Sequence, residues 1–150
     1  MTGVDDLRPH TLAWMPWFLD VGLAEPLRID AYLCREARFR SLAVITAGVY
    51  GDEHEGPAAI TALARILGSH TPAGSVSAVP VVNPMALAAA QRSPDGGNLA
   101  RMFPGVAGGT PTDRLAAPQL ESCSGSTSKR GSGRTTACAH RHSGLEGVIC

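Results

Sequence analysis

Leu42-Ala43-Val44-Ile45-Thr46-Ala47, closed by Gly48, is the stretch whose reading decides the fold. A short apolar run ended by glycine is the pattern of a strand buried on both faces. After the glycine-rich loop from Gly48 to Gly56, Pro57 suits the first turn of a helix. Ile60, Leu63, Ala64 and Leu67 then recur at helical spacing on one face, and Gly68 sits where a C-cap belongs. A second apolar run follows over Val76-Ser77-Ala78-Val79-Pro80-Val81-Val82-Asn83. Pro80 removes a ladder donor, so this strand is expected to be irregular or at an edge. Met85 to Arg92 reads as a short alanine-rich helix closing at Ser93-Pro94.

Strand, helix and strand of these lengths make a βαβ unit. The expected fold class is therefore α/β, a mostly parallel sheet with flanking helices. Active residues in such sheets gather beyond the carboxyl ends of the strands. The Gly48–Gly56 loop and Asn83-Pro84 both lie there.

Outward from this unit the composition divides the chain. Residues 1–26 form a leader segment whose Trp14, Met15, Trp17 and Phe18 make an apolar patch suited to docking on the core or on a partner. Residues 27–121 hold the α/β domain. Residues 122–150 are a Ser/Gly/Arg-rich tail; over 122–143 there is no acidic residue and no periodicity. Such a segment buries too little apolar surface to offset its ordering entropy and is expected to be disordered.

Bulk properties exclude several function classes. Thirteen basic residues balance thirteen acidic ones, so no global field favours nucleic acid or an anionic membrane. Aromatic residues are only 5% of the chain, which argues against stacking platforms for single strands. No stretch approaches the ~20 apolar residues of a membrane span. Asp5 and Asp6 stand where a signal peptide carries basic residues, and a cytoplasmic location follows by default. No two of the four cysteines share a C-x-x-C spacing, so they read as free thiols.

Chemistry concentrates in Gly48-Val49-Tyr50-Gly51-Asp52-Glu53-His54-Glu55-Gly56-Pro57. A carboxylate just after a buried strand, in a loop whose glycines let side chains converge, is a candidate metal ligand. Taken alone it equally fits a glutamate drawn to a helix start by the dipole.

Two further motifs follow in order: Val79-Pro80-Val81-Val82-Asn83-Pro84-Met85-Ala86 with Arg92 after it, and Asp95-Gly96-Gly97-Asn98-Leu99-Ala100-Arg101-Met102-Phe103-Pro104-Gly105. Together with the loop, these resemble the N-terminal part of the succinylglutamate desuccinylase/aspartoacylase family of carboxypeptidase-like zinc hydrolases. The family's pattern is G-x-H-G-x-E, V-N-P, an arginine and D-G-x-N-L-N-R-x-F-P-G, and the resemblance spans residues 42–117. It implies a zinc-dependent deacylase of an N-acyl amino acid or similar small amide. Glu53 corresponds to a zinc ligand. Arg92, Asn98 and Arg101 correspond to residues of the substrate pocket, arginine being suited to bidentate carboxylate recognition. In such enzymes zinc activates a water and polarises the amide carbonyl.

Three departures fall on the chemistry. Tyr50 stands in the first ligand's histidine position, and a neutral phenol with a pKa of ~10 is a poor zinc ligand. His54 is a weak substitute because it directly follows Glu53. Ala100 replaces the second asparagine of N-L-N-R. Thr110-Pro111-Thr112 starts the next helix, with Thr110 or Thr112 as N-cap, but the tail then replaces the strand that would carry the third ligand. His142, in His142-Ser143-Gly144, is the candidate for that ligand.

The expected function is thus a zinc deacylase, truncated and impaired. The rival is a non-catalytic α/β domain that binds a small acid or a protein partner. An open sheet edge predicts self-association.

Overall fold

The structure, a computed structural model, describes residues 10–36, 42–117 and 146–149. Its elements are β1 (Leu12–Leu19), β2 (Leu27–Cys34), β3 (Leu42–Thr46), α1 (Glu55–Ser69), β4 (Ser75–Val79), α2 (Pro84–Ala89) and α3 (Leu99–Met102). A fourth helix, α4, covers residues 111–117, and β5 is Glu146–Ile149. The strands form one sheet in the order β1-β2-β4-β3-β5. Among the described residues no helix is long and apolar enough to cross a membrane.

The βαβ unit forms as expected. β3 and β4 are parallel, in register from Leu42 opposite Ser75 to Thr46 opposite Val79, with α1 as the crossover. The other pairings, β1 with β2, β2 with β4 and β3 with β5, are antiparallel. The sheet as a whole is mixed, with helices on its faces. Residues 12–19, inside the segment read as a leader, are strand β1 at the sheet's edge. Pro16 is tolerated there because an edge strand need not donate on both sides. Trp14, Trp17 and Phe18 are exposed, and Arg28 lies 4.8 Å above the Trp14 ring. Residues 118–145, which hold most of the segment read as a disordered tail, lie outside the described residues.

Two details differ from expectation. β4 is an interior strand between β2 and β3, not an edge. It ends at Val79, so Pro80 sits just past the ladder and costs it no donor. The backbone resumes the pattern beyond it: Ala47 donates to Val79 O at 2.9 Å, and Val82 donates back to Ala47 O at 2.9 Å. Gly68 is not a cap either. α1 runs to Ser69 and His70 caps it in an extended conformation, its backbone N–H donating to Ile66 O.

Successive residues of β4 face opposite ways, and each face has its own core. Ala78 joins Ala47 and Ile60 under α1, with Ile45 and Tyr32 against them. Val79 joins Val21, Ile29, Ala31, Val82, Leu99, Leu115 and Ala116 on the other face. Helical spacing on α1 buries Ile60, Ala64 and Leu67, as the apolar periodicity predicts, while Leu63 is half-buried. The residues of β3 are all half-buried, so the doubly buried strand expected from its composition is better realised in β4. Cys34 is a free, buried thiol, and burial pushes its pKa up.

Candidate active site

Glycines bring the loop after β3 onto the start of α2. Gly48 has φ +66°, and a Cβ there would meet the Val81 Cα at 2.8 Å and the Pro80 carbonyl at 2.9 Å. Gly51 donates its N–H to Gln91 O at 3.0 Å, and a Cβ there would overlap the Ala86 carbonyl group. Fully buried Asn83 pins the arrangement from below. Its Oδ1 accepts from Ala86 N at 3.0 Å as the N-cap of α2, and its Nδ2 donates to Val49 O at 3.4 Å. Pro84 in the first turn completes the start signal. The Asn-Pro pair thus has a structural task that its sequence position alone did not disclose.

Gly51→Ala is expected to lower stability by about 1–3 kcal/mol, because the added methyl group meets backbone and not a mobile side chain. Urea unfolding with an unchanged midpoint would show that the loop and α2 do not approach this closely.

α2 is shorter than the run from Met85 to Arg92 expected from composition. It stops at Ala89 because Ala90 turns to φ 49°. That early turn releases Gln91 to meet Gly51 and carries Arg92 over the Tyr50 ring, 4.0 Å from its centroid. The Arg92 guanidinium donates through Nη2 to Glu53 Oε1 at 3.1 Å, and its Nη1 stands 3.9 Å from Asp52 Oδ2. The Tyr50 hydroxyl, then the charges of Asp52 and Glu53, push the arginine further up from its already high pKa, with desolvation opposing. All three charged side chains are substantially solvated, so the ion pairs add little stability; their value is positional.

Tyr50 also reaches the third motif. Its hydroxyl donates to Asn98 Oδ1 at 3.3 Å, the same atom that accepts from Ala100 N at 3.2 Å as the N-cap of α3. Asp95 fixes the turn before it. Asp95 Oδ1 accepts from Thr112 Oγ1 at 2.6 Å and from Gly97 N at 3.1 Å, while Oδ2 accepts from Thr112 N at 2.9 Å. Burial alone would raise this carboxyl, but the bonds from Thr112 and Gly97 outweigh it and hold the pKa below the ordinary aspartate range. Thr110, not Thr112, is the N-cap of α4. It forms a reciprocal box with Asp113, whose carboxylate accepts from Thr110 N at 3.0 Å while Asp113 N donates to Thr110 Oγ1 at 3.3 Å.

Of the residues singled out by sequence, the structure brings Glu53, Arg92 and Asn98 into one cluster around Tyr50. Arg101 is exposed on α3, and its side chain makes no ion pair or hydrogen bond among the described residues. His54 is exposed at the N-cap of α1 without a side-chain capping bond. His142 lies outside the described residues. Tyr50 as a platform and Asp52 as a second carboxylate were not visible in the sequence, because their partner Arg92 lies some forty residues away.

The model of the succinylglutamate desuccinylase/aspartoacylase catalytic domain matches residues 41–145, more than half of the chain. The chain belongs to this family. A deacylase-family relative in Halomonas elongata, an N-alpha-acetyl-L-2,4-diaminobutyric acid deacetylase, is 43% identical over 76 residues, 49% of this chain and 22% of that protein. An aspartoacylase family protein from Mesorhizobium loti superposes with a TM-score of 0.66 at 30% identity, over 75% of this chain and 37% of that one. A product-bound ectoine utilization protein from Ruegeria pomeroyi superposes at 0.54 and 31% identity, over 70% of this chain and 32% of its own. The family domain described here thus spans about a fifth of the curated relative and about a third of the solved ones.

For this family the motif resemblance implies zinc, held by Glu53 and His142. A zinc site needs three protein groups with water, or four. Among the described residues no three His, Cys, Asp or Glu side chains are grouped to hold a metal ion. Glu53 is engaged by Arg92, and the Tyr50 hydroxyl by Asn98. The described donor set does not fit zinc.

Proposed function

We propose that the protein is an N-acyl amino acid deacylase by lineage whose surviving chemistry is recognition of the acid end of its substrate, with hydrolysis impaired. The observation that supports this most is Arg92. Its guanidinium is held on the Tyr50 ring at a strand's carboxyl end and is half-exposed, with donors left over after Glu53. A planar fork fixed in this way is suited to a carboxylate. Arg101, exposed on α3, is the second candidate contact, and Asn98, whose Oδ1 accepts from the Tyr50 hydroxyl, is the third. The substrate class follows the relatives, an N-alpha-acetyl-L-2,4-diaminobutyric acid deacetylase and an ectoine utilization protein. The partner is then a small acid in the cytoplasm rather than a membrane or a nucleic acid.

Calorimetric titration with N-acetyl-L-2,4-diaminobutyrate, beside the corresponding primary amide, tests the reading. Saturable binding of the acid is expected. Arg92→Met should weaken it about tenfold or more, the effect of losing one charged hydrogen bond. Equal affinity for the acid and its amide, or an unchanged affinity in the variant, refutes the proposal. Acetate release measured on the same samples should stay near background.

A further inference from the structure

The mismatch between the family's metal and this chain's donors has an internal explanation. We infer that Arg92 takes the place of a resident cation here: seated on the Tyr50 ring, it pairs with Glu53 and Asp52 and keeps zinc out.

Three observations carry this. The side chain in the first ligand's position is a phenol, and its hydroxyl already donates to Asn98 Oδ1 at 3.3 Å. To ligate a metal, Tyr50 must lose its proton, and Asn98 Oδ1 must lose that donor. Glu53, the one matching ligand, has Oε1 tied to Arg92 Nη2 at 3.1 Å. A divalent ion on that carboxylate would sit beside a permanently charged guanidinium and would have to displace it from Oε1. The arginine is also not casually placed. The left-handed turn at Ala90 and the Gly51–Gln91 hydrogen bond deliver it to the ring, 4.0 Å from the centroid. A histidine at position 50 could ligate the ion and would offer the guanidinium a poorer platform. One residue change thus removes a donor and creates a seat for the competing cation.

This inference rests on reading the cluster as the family's active-site region, but it is tested independently of acid binding. The full chain, stripped with chelator, is dialysed against micromolar zinc and its metal content measured beside that of Glu53→Gln. The two are expected to hold equal zinc, since metal on tail histidines or cysteines does not depend on Glu53. One additional zinc per chain in the parent, lost in Glu53→Gln, overturns the inference. Tyr50→His combined with Arg92→Met should gain Glu53-dependent zinc affinity by about tenfold or more over Tyr50→His alone, since a ligand is supplied and the rival charge removed. No gain over Tyr50→His alone overturns the role given to Arg92. Failure of the carboxylate titration with zinc still excluded would sink the acid-binding reading and leave this one standing.

Discussion

Ile60→Ala is expected to destabilise the protein by about 2–5 kcal/mol, while Ile66→Ala in the same helix costs within about 0.5 kcal/mol. The two isoleucines share helix, propensity and neighbours in sequence, yet Ile60 is 1% exposed and Ile66 is 55% exposed. Among the described residues, Ile60 is the one large side chain fully buried in the cluster with Ala47 and Ala78. Its truncation leaves a void between helix and sheet that two alanines cannot fill. Against a total stability of roughly 5–15 kcal/mol, such a loss moves the folded fraction measurably at physiological temperature. Urea or thermal unfolding followed by far-UV circular dichroism reads both variants. Equal midpoints for the two would mean that α1 is not packed through Ile60.

The second large effect concerns Asp95. Asp95→Ala removes the acceptor of three hydrogen bonds, two from Thr112 and one from Gly97, and strands the hydroxyl of fully buried Thr112. Hydrogen bonds to a charged group contribute about 1.5–3 kcal/mol each and are not additive, so a loss of about 3 kcal/mol is expected. The same contact gives a pH signature. Asp95 has a folded-state pKa below its unfolded value, so its contribution is fully present above the ordinary aspartate value of ~3.9. It is lost as pH falls from there through the depressed folded pKa. The difference in unfolding free energy between parent and Asp95→Asn should therefore shrink in acid and stay constant from neutral pH down to the mildly acidic range. A difference independent of pH would show that the carboxylate charge is not what holds α4 to the turn.

The course of the chain was legible where local chemistry suffices. The apolar run 42–47, the helical spacing of Ile60, Ala64 and Leu67, and the parallel return through Ala78 and Val79 could be read directly, because periodicity reports which face meets a core. Strand β1 was not legible. Trp14, Met15, Trp17 and Phe18 with a central proline look like a docking patch until a partner strand is known, and register with β2 is a long-range property. Pro80 misled for the same reason: a proline marks a missing donor but does not say whether the ladder has already ended.

By itself the sequence determined the family scaffold and the order of its motifs, since each motif is a local pattern of turn glycines, caps and apolar periods. The resemblance of the motifs also set Tyr50 against the histidine of the family's G-x-H-G-x-E pattern. What only the tertiary structure decided is the use of that tyrosine. Glu53, Arg92 and Asn98 come from three separate segments, and their distances depend on where α2 stops and how Gly51 meets Gln91. Electrostatic partnership falls off over a few ångströms, so it is fixed by how the segments pack and not by their spacing along the chain.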